Sequence, residues 1–562
     1  VNTTSTTNSI TVVVSAHDAE SGIVKYEYSI DGGKTWETRE SNTYTFTGLT
    51  QGTEYEIKVR VTNEGGKIAE GSKSTATGNI EVPIYSSEEE GEVKISYPSG
   101  CERLYKCTYV KDGEEIEVSS NEVMVYFGES GSVVAKVSDG TNTVAASTCT
   151  VQRENFYVSN SGSDATGYGT INKPYMTIQK AYDSAGNNAN IYVMNHLTMM
   201  ETTNFNEDKK ILLTSEHGEN NVITRDSSFL EEFIESSLGQ LTLKNITFDG
   251  QQIKANMPAL NIHDSIFIME DGTIIKNNND DNDAGGGIRF NNATATINGG
   301  IITNNIANLG GGGGFLARSS NITINDVEIS NNSGVNGGGI FFGDRDYTLT
   351  IKGGKFNNNV ARSSTGGGVM IANSNLILAG GEITQNTAQT YGGGIYLGSL
   401  LGQGFSTFTM KTGTISQNSA ATGGGIFAND SNNTLLIENG SISNNEATTY
   451  SGGGIYTYGV LTMSGGTISN NISYTYGGGI MCKTNCTVTG GTISGNTATT
   501  GTGGGIQFDG VFVLNGGTIK NNTANINGGI WLSSTGKYTY KSGIVCGNKP
   551  SNSYETLATC PS

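Results

Sequence analysis

From Ile275 onward the chain repeats one pattern of apolar and polar positions. An Ile, Phe or Val stands three residues before an Asn eleven times, at Asn278, Asn305, Asn332, Asn359, Asn386, Asn418, Asn445, Asn471, Asn496, Asn522 and Asn548. The ten intervals are 27, 27, 27, 27, 32, 27, 26, 25, 26 and 26 residues. Around this pair the unit reads apolar-Thr-apolar-x-Gly-Gly-x-Ile-x-x-Asn-x-Ala, then a variable stretch, then Gly-Gly-Gly-Ile. Apolar residues at alternate positions predict strands, because successive side chains of a strand face opposite sides. Several short strands at a fixed period near 27 predict one coil of a right-handed parallel β-helix. A propeller blade needs about 40 residues, no Leu-rich repeat pattern is present, and no helical periodicity recurs.

Each repeated position answers a physical demand. Asn tolerates the left-handed backbone that a tight turn between parallel strands needs, and stacked amides hydrogen-bond along a column. Paired Gly permits sharp corners where coils stack at about 4.8 Å. Ile, Phe and Val are expected to fill a narrow interior. Thr at 296, 323, 350, 409, 462, 487 and 539 suits an outward pleated face. The Gly runs are not phosphate loops, since no Gly-Lys-Ser/Thr follows them.

Two smaller β domains are expected upstream. In residues 1–79, Ile10–Val14, Ile23–Ile30 and Tyr55–Val61 read as strands, with Asp31-Gly32-Gly33 as a turn. Leu49, a short turn and Tyr55 opening an alternating strand resemble the tyrosine corner of fibronectin type III domains. Residues 80–152 resemble an immunoglobulin-like sandwich, with strands at Val93–Tyr97, Cys107–Val110 and Val133–Val137. Cys101 and Cys107 flank a short loop there and are a disulfide candidate; Cys546 and Cys560 are another, at the far end. The expected organisation is therefore all-β: sandwiches at 1–79 and 80–152, a cap and irregular coils at 153–250, and a regular β-helix of about eleven coils at 251–562.

The repeat resembles the paired Gly-Gly-Ala-[Ile/Leu/Val] and Phe-x-x-Asn motifs of chlamydial polymorphic outer-membrane proteins, which are β-helical adhesins. Here the motifs read Gly-Gly-Gly-Ile, as at Gly452–Ile455, and Ile-x-x-Asn, as at Ile468–Asn471. Upstream, Tyr157-Val158-Ser159, Gly162-Ser163-Asp164 and Thr177-Ile178-Gln179-Lys180-Ala181 resemble the opening segment of bacterial extracellular β-helix proteins, many of them polysaccharide-active. That resemblance implies a short helix over 177–185 capping the first coil.

Composition narrows the function classes. The chain holds 562 residues with 80 Gly, 6 Pro and a net charge of -19. Scarce Pro and no Gly every third residue exclude collagen. The acidic balance disfavours nucleic acid as a partner. No apolar run is long enough to span a membrane as a helix, and the chain is read as a secreted or surface-displayed piece without its targeting or anchoring segment.

Candidate chemistry falls in three places. The residue after each Gly-Gly-Gly-Ile is expected to face outward, and this column reads Arg289, Leu316, Phe341, Met370, Tyr396, Phe427, Tyr456, Met481, Gln507 and Trp531. Eight of the ten are large and apolar, so the column is expected to be an exposed partner or glycan surface, with two alternatives: a face covered by a loop or by the sandwich domains, or a strand parity opposite to that assigned. Arg289, Arg318, Asp344, Arg345 and Asp346 form a candidate catalytic group, because lyases on this fold use Arg or Lys beside calcium-binding Asp and glycosidases use paired carboxylates. The alternative is solvated surface. Asp280, Asp281 and Asp283 are a candidate calcium site; no other cofactor is expected. The leading expectation is an adhesin-like β-helix that binds a glycan or a surface protein along its flank. Its rivals are a polysaccharide lyase or glycoside hydrolase, and a phage tail fibre or spike that oligomerises through the apolar stripe.

Overall fold

The computed structural model describes residues 1–553 except 102, 283–284, 364 and 399–404. Two compact units are present: residues 1–153 with 166–173, and residues 154–165 with 174 onward.

The first unit holds two sandwiches. In the first, strands Asn2–Ser5, Ser9–Val13 and Thr43–Thr47 form one sheet, and Glu37–Arg39, Ile23–Ser29, Glu54–Asn63 and Ile68–Ala76 form the other. Ile10, Val12, Tyr28, Ile57 and Val59 fill the space between them. The backbone N–H of Thr50 donates to Tyr55 Oη at 2.9 Å, the bond that defines a tyrosine corner. The second sandwich packs Val93, Ile95, Val133, Ala135 and Val137 between its sheets. Cys101 and Cys107 are joined in a disulfide, with Cα atoms 5.5 Å apart. The stretch 166–173, read from sequence as part of the β-helix lead-in, packs on this sandwich instead. Thr170 Oγ1 donates to Glu92 Oε1 at 2.6 Å, Asn172 Nδ2 to Glu92 Oε2 at 3.0 Å, and Tyr168 stacks on Tyr126 at 5.4 Å. Burying Glu92 demands such donors.

The second unit is a right-handed parallel β-helix. Helix α1, Ile178–Ser184, covers its first coil; Thr177 caps it, accepting from Lys180 N at 3.1 Å, and Ile178, Ala181 and Tyr182 are buried. Among the described residues, three sheets run the length of the rod: a broad face of 25 strands, a flank of 13 and a narrow face of 11. One coil shows the plan. Ile288–Asn291 lies on the flank, Thr294–Ile297 and Ile301–Thr303 on the broad face, and Ile306–Ala307 on the narrow face. Strands pair in parallel with their counterparts one coil on, as Ile288 does with Phe315 and Ile302 with Ile329, with local register shifts where Asn375–Thr384 meets Thr407–Ser416, Thr497–Thr502 meets Thr523–Ile526, and Val511–Lys520 meets Lys537–Cys546. The longer interval of 32 residues is absorbed between Gly398 and Thr407, because the strands on either side stay in register.

The eleven Asn stand in one buried file. Asn305 is typical: its N–H and Nδ2 both donate to Asn332 Oδ1 at 3.0 Å, and Nδ2 also donates to Ile275 O at 3.0 Å. Asn548 ends the file on Asn552 Oδ1, at 3.0 and 3.1 Å. Asn278 begins it with Oδ1 unpartnered among the described residues, since Gly250 occupies the equivalent place below. The left-handed turn, expected at the stacked Asn itself, belongs to the residue before it: Asn304, Asn331, Asn358 and Asn444 have φ of 55–56°. One neighbour turns the chain and the other stacks.

The Gly-Gly-Gly run serves close approach more than corner turning. It passes back-to-back with the narrow face of the adjoining coil, with no side chain between. A Cβ on Gly286 would lie 2.3 Å from Gly313 O and 2.7 Å from Ile306 N. One Gly of a run, such as Gly452 with φ of 72° or Gly311 with φ of 64°, needs the left-handed region.

Candidate binding flank

Strand alternation sets the geometry of the flank. In Ile455–Thr457, Ile455 and Thr457 point inward and Tyr456 outward. The outward column is Arg289, Leu316, Phe341, Met370, Tyr396, Phe427, Tyr456, Met481, Gln507 and Trp531, paired rung to rung.

The column is not an exposed stripe. Phe341, Met370, Tyr396, Phe427 and Tyr456 are buried, as are Leu316 and Met481, and they form a second apolar cluster separate from the coil interior. Trp531 is half-buried. The cover is the chain itself. The variable stretch before each Gly-Gly-Gly folds over the outer side of the flank: Thr365 Oγ1 reaches Met370 Sδ at 3.2 Å, and the Tyr391 ring lies 4.5 Å from that of Phe427. A Cβ on Gly452 would stand 2.7 Å from Tyr456 Cβ. The stripe is thus neither an open binding surface nor a free oligomer seam. Tyr396, Phe427 and Tyr456 stack along the axis, with centroids 5.8 and 5.0 Å apart and planes 8° and 17° from parallel. Burial pushes the Tyr396 hydroxyl up to about 12 and raises that of Tyr456 further. Phe427→Ala is expected to cost about 3–5 kcal/mol, as for other buried aromatics, and thermal denaturation would read it.

What is exposed is the rim of this cover. Tyr450 is 59% exposed, and Tyr391, Tyr458, Tyr474 and Tyr476 are exposed beside it. Thr475 N donates to Tyr450 O and Gly452 N to Tyr476 O, both at 2.9 Å, so the segments bearing Tyr450, Tyr474 and Tyr476 lie on neighbouring rungs. Tyr391 and Tyr458 both contact Phe427, and Tyr456 Oη donates to Tyr458 Oη at 3.3 Å. Between Ile383 and Cys482 the charged residues are Lys411, Asp430, Glu438 and Glu446, a net of 1 − 3 = −2. Sequence reading missed this rim. Its available signal was density: seven of the 25 Tyr fall between 391 and 476.

No family model matches this chain, and no curated protein matches it. Among solved structures, it is similar to chitinase ChiA74 from Bacillus thuringiensis at 14% identity and a TM-score of 0.13, over 26% of this chain and 28% of that one. It is also similar to a two-domain fibronectin type III segment from chicken tenascin, at 14% identity and a TM-score of 0.15, over 27% of this chain and 97% of that one. The match thus spans little more than a quarter of the chitinase.

The flank changes character toward the first coils, where its outward residues are polar. Asn261 and His263 stand on one rung, Arg289 and Asn291 on the next, and Arg318 on the next. His263 is half-buried, with Nε2 3.1 Å from Glu235 Oε1 and Nδ1 3.2 Å from Asp264 Oδ2. Asp344, Arg345 and Asp346 follow the strand Ile340–Gly343 as an exposed turn. Strand alternation therefore does not place the two carboxylates on one face. Both carry left-handed backbone, with φ of 85° and 70°, which redirects their side chains. Asp344 Oδ2 accepts from Ser319 Oγ at 2.9 Å.

The calcium candidates are partly engaged. Asp280 is buried at the register of Ala255 and Ala307 and accepts from Asn282 N at 2.9 Å. Asp281 takes Asn308 Nδ2 at 2.6 Å and Lys254 Nζ at 3.5 Å. Asp283 lies outside the described residues. Among those described, no group of three or more His, Cys, Asp or Glu is placed to hold a metal. Cys482 and Cys486 are free and buried inside the rod, and Cys149 is free. Cys546 is disulfide-bonded; Cys560 lies outside the described residues. Among the described residues, no helix is long and apolar enough to cross a membrane.

Proposed function

We propose that this chain is a glycan-binding protein displayed outside the cell, and that the exposed tyrosine rim of the flank is its binding face. The supporting observation is the gathering of Tyr391, Tyr450, Tyr458, Tyr474 and Tyr476 on neighbouring coils of a nearly uncharged stretch. A tyrosine ring offers an apolar face to the C–H side of a sugar and a hydroxyl to its polar edge. Rungs about 4.8 Å apart on a rigid ladder hold several such rings at fixed spacing, which suits an extended polymer. The neutrality favours sugar hydroxyls over a charged peptide. The disulfide Cys101–Cys107 fits an oxidising compartment.

Replacing Tyr450, Tyr474 and Tyr476 together with Ser tests the reading on a glycan array. Binding to the preferred glycan is expected to fall at least about tenfold, given roughly 1 kcal/mol for each exposed ring. The melting temperature is expected to stay within about 2 °C, because the rings are exposed. Unchanged glycan binding would remove the rim from consideration.

A second reading, cleavage of a polysaccharide at the first coils, draws on His263, held by Glu235 and Asp264 one rung from Arg289. New reducing ends or unsaturated uronates on incubation, lost in His263→Ala, would establish it; a clean polymer would end it.

A further inference from the structure

We propose that the glycan is acidic, and that Arg289, Arg318 and Arg345 read its carboxylate or sulfate groups while the tyrosines read its sugar faces. This rests on the glycan reading above. After Arg225 the chain has four Arg, at 289, 318, 345 and 362. Arg362 is satisfied internally: Nη1 donates to Ser333 Oγ at 3.0 Å, and Nη2 to Ala307 O at 2.6 Å and Asn308 Oδ1 at 3.3 Å. The other three behave differently. Among the described residues, none of their guanidinium groups makes a hydrogen bond or an ion pair, and the Arg318 group lies 5.8 Å over the Phe341 ring.

These three cations sit on three consecutive rungs of the flank. Arg289 pairs with Leu316, Arg318 pairs with Gly343, and Arg345 follows Gly343 in the turn. Rungs stack about 4.8 Å apart, and Arg318 stands at the register of Asn291, two residues along the strand from Arg289, so the three cations step diagonally across successive rungs. Carboxylates are near in sequence, yet Asp344 takes a serine hydroxyl instead of an arginine. A planar guanidinium engages carboxylate or sulfate through two parallel hydrogen bonds, a geometry that suits acidic sugars.

The overall charge of -19 does not oppose this placement. Residues 285–482 hold Arg289, Arg318, Arg345, Arg362, Lys352, Lys355 and Lys411 against Asp326, Asp344, Asp346, Asp430, Glu328, Glu382, Glu438 and Glu446, a net of 7 − 8 = −1. The coils that carry the site contribute one unit of the excess; the rest lies elsewhere. The arginines stand on the early rungs of the flank whose later rungs bear the tyrosine rim, Arg318 and Arg345 at or past the ends of their flank strands and Tyr450, Tyr474 and Tyr476 before the starts of theirs.

The test uses the whole chain and matched polymers that differ only in charge: polygalacturonate with its methyl ester, and dextran sulfate with dextran. At low salt, an acidic member is expected to bind at least about tenfold tighter than its neutral partner, the preference shrinking as salt is raised. Arg289→Gln, Arg318→Gln and Arg345→Gln combined are expected to erase that preference with the melting temperature within about 2 °C of the parent, since no hydrogen bond or ion pair of these side chains is lost. Equal binding of both members, no binding of either acidic polymer, or a preference that survives the triple variant would each overturn the proposal. The two readings fail separately. Neutral polymer held by the tyrosines with no acidic preference sinks the arginine proposal alone. Binding indifferent to the tyrosine variant sinks the rim.

Discussion

Gly453→Ala is expected to keep the surrounding coils from closing, a loss of more than about 4 kcal/mol. The added Cβ would stand 2.4 Å from Ile472 O and 2.5 Å from Gly478 O, both backbone atoms of the next coil. Neither can swing aside as a side chain can, because each belongs to a ladder paired on both sides. The coils would have to separate locally and give up inter-coil hydrogen bonds. Coil stability in a solenoid comes largely from nearest-neighbour interfaces, so damage at one interface opens the rod there. Limited proteolysis would show cutting near residues 450–480, and thermal denaturation an early transition. Gly186→Ala is the control, since its Cβ meets nothing within 4 Å. If Gly453→Ala melted with the parent protein, steric closeness would not be the reason for the triple glycine.

Asn445→Ala is expected to cost about 3–5 kcal/mol, through hydrogen bonds rather than volume. Its Oδ1 accepts from Asn418 N at 3.0 Å and Asn418 Nδ2 at 2.9 Å. Its Nδ2 donates to Ile415 O and to Asn471 Oδ1, each at 2.9 Å. Alanine leaves the Asn418 N–H and the Ile415 carbonyl buried without those partners. Each stranded group costs about 1–3 kcal/mol. Asn278→Ala, at the start of the file, strands no donor because its Oδ1 accepts nothing, and about 1 kcal/mol is expected there. Chemical denaturation of both variants gives the comparison. Equal losses at the two positions would show that the file acts as separate turns and not as a connected ladder.

Much of the rod was legible because one physical demand recurs in every coil. Ile302, Ile329 and Phe356 face the same interior, so their spacing declares the period. The Tyr55 corner was legible because a Leu-turn-Tyr step is a local pattern with a local hydrogen bond, and the helix expected over 177–185 came from the resemblance of the opening segment, the structure placing it at Ile178–Ser184 under a Thr177 cap. The division of labour between Asn304 and Asn305 was not, because either residue type tolerates both roles and only the backbone angles separate them.

The flank marks the boundary between the two kinds of knowledge. Alternation along Ile455-Tyr456-Thr457 determines that Tyr456 faces away from the coil interior, since parity is a property of the strand alone. It does not determine whether water or protein lies on that side. That depended on where the stretches before each Gly-Gly-Gly travel, and their lengths and compositions vary from coil to coil. In the folded chain they return over the flank, bury Phe427 and its neighbours, and leave Tyr450, Tyr474 and Tyr476 outside. The sequence by itself determined the period, the file of amides and the facing of each strand residue, because these follow from contacts repeated at a constant offset. Only the tertiary structure decided which outward residues meet solvent and which arginines stay unpaired, because those depend on the path of segments that share no common pattern.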